Sequence, residues 1–412
     1  MRIRRCRAMG GLIAATAALG ILFAAEYGHS FHNGGIGECE GCHSTREASI
    51  NPYNLKGSDQ SSTCLRCHER STGARTEEHF VSTATTDMPR GVPPAGLTPG
   101  GDFGWLKKNY GSEPGEVHGH NINAADFGYY GSSNTAAPGG TFPSNALHCT
   151  SCHDPHGRYR RNSDGTITSA GPSIKASGSY TDSPDPDPDA PVGVYRMLGG
   201  RGYQPKSVEA SKPFTKDPPA AVSPRAYNRP EEISQTRVAY GSGMSEWCAN
   251  CHVNMHGSKM SHPSGNDVKL GQKISANYNV YVRTGDLSGS KSNSYLSLVP
   301  FEEGTLDYTL LKPHARSDDS FLEGPDAKAN VSCLSCHRAH ASGWRYFLRF
   351  GADTAFITVS DEAGVRYPDA TREPDLAKGK SADEIQGAYY GRPAKTFSSA
   401  QRPLCGKCHG KD

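Results

Sequence analysis

A largely irregular chain with short helices, wound around something other than an aliphatic core, is the fold class this sequence predicts. Three observations predict it. Leu, Ile, Val and Phe make up roughly 15 % of the 412 residues, a fraction too low to offset the entropy of folding by apolar burial alone. Gly (47) and Pro (28) are abundant and interrupt every periodic segment. Finally, twelve of the 13 cysteines fall into six Cys-x-x-Cys-His motifs: "CEGCH" at 39–43, "CLRCH" at 64–68, "CTSCH" at 149–153, "CANCH" at 248–252, "CLSCH" at 333–337 and "CGKCH" at 405–409.

The motif decides what supplies the core. Zinc ribbons and dithiol redox centres use Cys-x-x-Cys pairs, but neither requires His immediately after the second Cys. With His at about 4 % of the chain, six chance occurrences have a probability on the order of 10⁻⁸. Cys-x-x-Cys-His is the attachment signature of c-type haem. Two thiols add to the haem vinyl groups, and the next residue presents imidazole to the iron. The expected cofactors are therefore six c-type haems, and the class becomes a multihaem cytochrome c, mostly coil with short helices around a stacked haem chain. The attachment cysteines are Cys39, Cys42, Cys64, Cys67, Cys149, Cys152, Cys248, Cys251, Cys333, Cys336, Cys405 and Cys408. The proximal ligands are His43, His68, His153, His252, His337 and His409.

Residues 1–30 read as a signal peptide: Arg2, Arg4, Arg5 and Arg7 precede the apolar run "LIAATAALGILFAA". Cleavage is expected after Ser30, with Ala25 as the other site. Cys6 lies in this leader. Export suits haem attachment, which follows translocation. The run is short for a membrane span, and no later segment resembles one. The formal charge is +2, and loss of the leader brings it to about −1, which gives nucleic acid nothing to bind.

Residues 31–412 read as one hexahaem unit. Motif starts are separated by 25, 85, 99, 85 and 72 residues, so only the motif recurs and the first two haems form a tight pair. The text between is loop-like, with "TDSPDPDPDAPVG" an extended solvated loop rather than a calcium site. The soft region lies at about 160–230. Short amphipathic helices are expected near 231–240 and 380–390, with helical turns at the motifs. Trp105, Trp247 and Trp344 are expected to pack on haem. No phosphate loop, dinucleotide fingerprint or nucleophile elbow competes with the haem reading.

Each haem needs a sixth ligand. Five methionines remain beyond the leader, too few to serve every haem, so imidazole is the main donor. His340 follows His337 by three residues and cannot swing around its own haem, whose near face the chain occupies. It ligates a different haem, which must lie close, with irons roughly 10 Å apart. His156 repeats the arrangement after His153. The distal candidates are His32, His120, His156, His262, His314 and His340. His79, His256 and His148 come next. Spare histidines are surface residues or partners for haem propionates.

Several stretches outside the motifs carry a family resemblance: "FHNGGIGECEGCH", "TPGGDFGWLKKNY", "LHCTSCHDPHGRYRR", "TRVAYGSGMSEWCANCH", "YLSLVPFEEGTLDYTLL" and "CLSCHRAHASG". Over nearly all of 31–412 the chain resembles the OmcS-type hexahaem c-type cytochromes, outer-surface proteins of metal-reducing bacteria. The resemblance implies bis-His haems, a loop-dominated fold and polymerisation end to end into a conducting filament. In the family a His three residues after the first proximal His ligates the fifth-motif haem of the next subunit. Here Arg46 stands in that place. The haem on Cys333 and Cys336 then draws on another donor, such as His32 of a neighbour, or the chain does not polymerise in the family's way.

The function expected is electron transfer at the cell surface, not enzymatic turnover. Partners would be a homo-polymer, redox partner cytochromes, and extracellular minerals or electrodes as acceptors. The alternatives are a monomeric periplasmic or surface shuttle, and a multihaem reductase with one open haem.

Overall fold

The computed structural model describes residues 39–44, 53–70, 79–170, 177–208, 212–255 and 262–410. Regular structure is sparse, as the composition requires. The described helices are α1 (Gln60–His68), α2 (Met244–Cys248), α3 (Gly271–Val280), α4 (Tyr308–Leu311), α5 (Cys333–Cys336), α6 (Pro374–Ala377), α7 (Ala382–Ala388) and α8 (Gly406–His409). Strands are two or three residues long and pair locally, as in the antiparallel ribbon of Val359–Asp361 with Gly364–Arg366. One three-stranded sheet places Arg160–Arg161 between Ile167–Thr168 and Val192–Gly193. No helix among the described residues is long and apolar enough to cross a membrane.

The expected helix at 380–390 is α7. Ser381 accepts from the Glu384 amide while the Glu384 carboxylate accepts from the Ser381 amide, a capping box that starts the helix. The expected helix near 231–240 is not formed. That stretch is pinned in extended form, with Ala239–Tyr240 paired to Ala221–Val222 and the Arg237 amide bonded to the Arg316 carbonyl.

An apolar core does exist, and it is built from tyrosine. Tyr278, Tyr281, Tyr295, Tyr367 and Tyr389 join Leu298, Ile385, Phe397 and Leu404 in one buried cluster. The ring bodies supply apolar area while the hydroxyls stay bonded: Tyr278 donates to the Val299 carbonyl at 2.8 Å and Tyr367 to the Arg392 carbonyl at 2.8 Å. The three tryptophans pack on protein. Trp105 lies with Tyr110 and Ala388, Trp344 leans on Tyr389, and Trp247 donates to the Gly199 carbonyl at 2.8 Å.

Distant segments are tied by buried polar contacts. Lys108 bonds Glu384 at 3.1 Å, and Tyr390 donates to the Thr98 carbonyl at 2.6 Å. Gly101 lets two such segments touch: its φ is +92°, and a Cβ there would come within 1.8 Å of the Ala341 carbonyl oxygen. That approach brings the Gly101 carbonyl to His340.

Candidate haem ligand sites

Each motif is one tight turn. The His amide bonds the carbonyl of the first Cys in the motifs at Cys39 (2.8 Å), Cys149 (3.0 Å), Cys248 (3.0 Å), Cys333 (2.9 Å) and Cys405 (3.1 Å), and the second motif completes α1. Local caps hold these turns. Asp59 accepts from the Ser62 amide at the start of α1, and Ser332 and Ser335 form a reciprocal box around α5.

The motif histidines are aimed by backbone. The Nδ1 of His43 donates to the Tyr53 carbonyl (2.7 Å), that of His68 to His79 (2.6 Å), and that of His153 to Arg196 (2.7 Å). His252 donates likewise to Pro138 (2.9 Å) and His337 to Tyr346 (2.8 Å). A proton fixed on Nδ1 leaves the Nε2 lone pair free for a metal.

Five of the six motif histidines face a second imidazole. His43 faces His156 with ring centres 6.5 Å apart, His68 faces His79 at 5.9 Å, and His153 faces His340 at 6.4 Å. His252 faces His120 at 6.1 Å, and His409 faces His262 at 5.9 Å. Two imidazoles holding one metal between them at ~2.0 Å, with ~1.1 Å from nitrogen to ring centre, would stand about 6.2 Å apart. The pairs match that spacing. The distal rings are aimed in the same way, His120 donating to the Ala339 carbonyl (2.7 Å), His340 to Gly101 (3.2 Å) and His262 to Pro263 (2.8 Å). Burial pulls His120 down to about 4 and His340 to about 3, so both are neutral at pH 7, the form that ligates.

Of the expected distal set, His120, His156, His262 and His340 thus meet a motif histidine, and His79 joins them from the second tier. His314 does not. Its Nδ1 lies 3.3 Å from Glu303 and its ring stacks on Phe321 at 4.3 Å. His148 lies beside Asp59 and Ser61. His32, His256 and Arg46 fall outside the described residues.

The motifs are neighbours in chain order. The motif sulfurs lie within electrostatic reach of one another, Cys42 of Cys67, Cys64 of Cys149, Cys152 of Cys251, Cys248 of Cys333 and Cys408 of Cys336. Each of these proximities joins successive motifs, so the motifs follow one another in chain order.

A structural repeat runs beneath this succession that motif spacing alone did not reveal. In the third motif the Asp154 amide bonds Met197 and the Gly199 amide bonds Cys152; in the fifth, Arg338 bonds Phe347 and Arg349 bonds Cys336. Both returning turns hold a pair of non-glycine residues at positive φ, Arg196–Met197 and Tyr346–Phe347. The Cys149 amide donates to Ser61 Oγ and the Cys333 amide to Ser245 Oγ, each at 3.0 Å. Motifs two and three thus form a unit that motifs four and five repeat. The sequence signal was present in the related turns "YRML" and "RYFL" and in the Ser three residues before Cys64 and Cys248.

Buried charge also fits haem. Arg338, Arg349 and Arg392 are nearly inaccessible and have Glu231 as the carboxylate among them, while Arg338 Nε and an Arg349 terminal nitrogen have no partner. Such an excess of positive charge suits a prosthetic group that brings two propionates of its own.

The chain is 49 % identical to the C-type cytochrome OmcS of Geobacter sulfurreducens, over 96 % of this chain and 98 % of that protein. It belongs to the OmcS-type c-type cytochromes. Two solved structures agree, one of OmcS nanowires from Geobacter sulfurreducens at 49 % identity and one of its Outer Membrane Cytochrome S filament at 50 %, each with a TM-score of 0.88. Each covers 93 % of this chain and all of the solved one. No family model matches the chain. The coil-dominated architecture with short helices is therefore the OmcS-type fold, and a c-type cytochrome of this family carries covalently bound haem c.

Proposed function

We propose that the chain carries six covalent c-type haems and conducts electrons along them in the order of their motifs. His43/His156, His68/His79, His153/His340, His252/His120 and His409/His262 are the axial pairs of five of these haems. The observation that carries this reading is the five motif histidines that each face a second imidazole at 5.9–6.5 Å, with successive motifs side by side in chain order. A haem with both axial positions filled exchanges electrons with little rearrangement and leaves substrate no place to bind, so the five paired sites support an electron carrier.

The succession begins near the described N-terminal end and finishes at α8, so copies meeting end to end would extend it. We read the mature chain, residues 31–412, as a single unit. It is exported through the periplasm to the cell surface and joins other copies in a filament. Minerals, electrodes or partner cytochromes then accept electrons at its end. Electron microscopy and conductance of the secreted holo-protein test this. Ordered filaments that conduct along their length support it; dispersed particles that only shuttle charge in solution favour the monomeric carrier.

A further inference from the structure

We infer that His118, a histidine outside the axial pairs, is a positioning residue: with Glu113 and Lys380 it locks one short backbone ladder that carries the distal ligands of two haems, His120 for the fourth and His340 for the third. The inference rests on the axial pairing proposed above. The ladder is antiparallel. The His120 amide donates to the His340 carbonyl (2.9 Å) and the Ser342 amide to the His118 carbonyl (2.9 Å), with Gly119 opposite Ala341. The two backbones touch: a Cβ on Gly119 would stand 2.4 Å from the His340 carbonyl oxygen and 2.5 Å from the Ala341 methyl. The His340 amide is also taken, by the Gly100 carbonyl at 2.7 Å. Neither distal ligand can therefore turn its backbone without moving the other.

Two imidazoles on this ladder are anchored alike and used differently. His120 Nδ1 bonds the Ala339 carbonyl (2.7 Å) and His118 Nδ1 the Ser342 carbonyl (3.1 Å). The His120 ring then faces His252, as a ligand does. The Nε2 of His118 instead stands 3.1 Å from the Glu113 carboxylate, which Lys380 approaches at 3.5 Å. His118 is wholly buried and Lys380 nearly so, with the Lys380 ammonium 4.1 Å from the Tyr110 ring centre. The Glu113 backbone is fixed in turn by reciprocal bonds with Tyr110.

An imidazole held at both nitrogens cannot rotate. His118 thus fastens the ladder to a turn that holds no metal ligand. Groups placed behind a metal ligand in this way set its orientation. A low-spin haem reports that orientation through the angle between its axial rings, here 42° for His120 with His252 and 62° for His340 with His153.

The test is EPR of the oxidised full-length holo-protein, followed by carbon monoxide binding after reduction. His118→Phe fills the space and makes neither bond. It should shift the low-spin signals of about two of the six haems, and carbon monoxide should displace the distal imidazoles of those two on the order of tenfold faster. His118→Asn keeps an N–H for the Ser342 carbonyl and should restore both readouts toward the parent. Glu113→Gln should give the same two-haem pattern at smaller size. Signals unchanged in His118→Phe, or altered at all haems together, would overturn the inference, since a merely structural role predicts one or the other. If His118→Phe does not accumulate, Glu113→Gln decides in the same way: two haems altered supports the inference, and none or all altered overturns it. His340→Ala checks the reading beneath, because it should change the third haem. If it changes none, the axial pairing falls and the inference falls with it.

Discussion

An imidazole is oriented toward a metal when its other nitrogen is anchored, and here a backbone carbonyl is the usual anchor. The residues supplying it, Tyr53, Pro138, Arg196 and Tyr346, have no sequence signature, because any residue has a carbonyl. The cysteines and proximal histidines were legible from adjacency alone. The distal partners were legible only in part. His340 and His156 stand out by spacing, but His79 is brought to His68 by the pairing of Glu69–Arg70 with Ser82–Thr83, and His314 lies beside Glu303. One carboxyl outside the ligand set has a measurable consequence. Glu302 is wholly buried at the start of α2, where it accepts from the Met244 amide at 2.9 Å, and burial pushes it up to about 8. Its unfolded value is near 4.5, so the folded chain binds the proton more tightly between those two pH values. Stability is therefore full below about pH 4.5 and falls as pH rises toward 8. Glu302→Gln should remove that slope, on the order of 4 kcal/mol by pH 8, in thermal melts across the range. An unchanged slope would place the titrating group elsewhere.

At the level of elements, the unit to consider is a pair of motifs rather than a helix. A serine hydroxyl at the first motif receives the leading Cys amide of the second, Ser61 for Cys149 and Ser245 for Cys333. Ser245 is itself buried, so Ser245→Ala leaves the Cys333 amide without a partner. The loss should be ~1–2 kcal/mol in denaturant unfolding of the holo-protein. Ser381→Ala, which breaks the α7 capping box, should cost ~1 kcal/mol by the same assay. The box was readable as Ser-x-x-Glu before Ile385. The extended path of 231–240 was not, since its pairing with 221–222 and 316 is set by contacts remote in sequence. The two left-handed pairs were equally hidden, because nothing in Arg196–Met197 or Tyr346–Phe347 favours positive φ locally. Their cost is met by the hydrogen bonds that the returning turns make to the motif.

Across the whole molecule, the shortage of aliphatics led to the expectation that haem alone would form the core. The shortage is real, but tyrosine answers part of it. Tyr389 is fully buried, stacks on Tyr367 at 5.3 Å and accepts from the Gly351 amide. Tyr389→Ala should cost ~3–5 kcal/mol, read as a lowered denaturant midpoint. Haem should still be indispensable, because the motif turns hold the segments that return to them, Gly199 on Cys152 and Arg349 on Cys336. Removing one attachment with Cys336→Ala and His337→Ala should give degraded or unfolded protein. A stable, compact product with five haems would mean that the tyrosine core holds the fold unaided. The general architecture was thus legible from composition and motif, whereas the tyrosine core and the pairwise repeat needed three dimensions. The most direct measurement is a density map of the holo-protein that locates the irons and their axial ligands. Six irons in one unbranched line following motif order, five of them between the imidazole pairs named here, is the expected result. A branched or reordered line, or an iron between His153 and any residue other than His340, would contradict it.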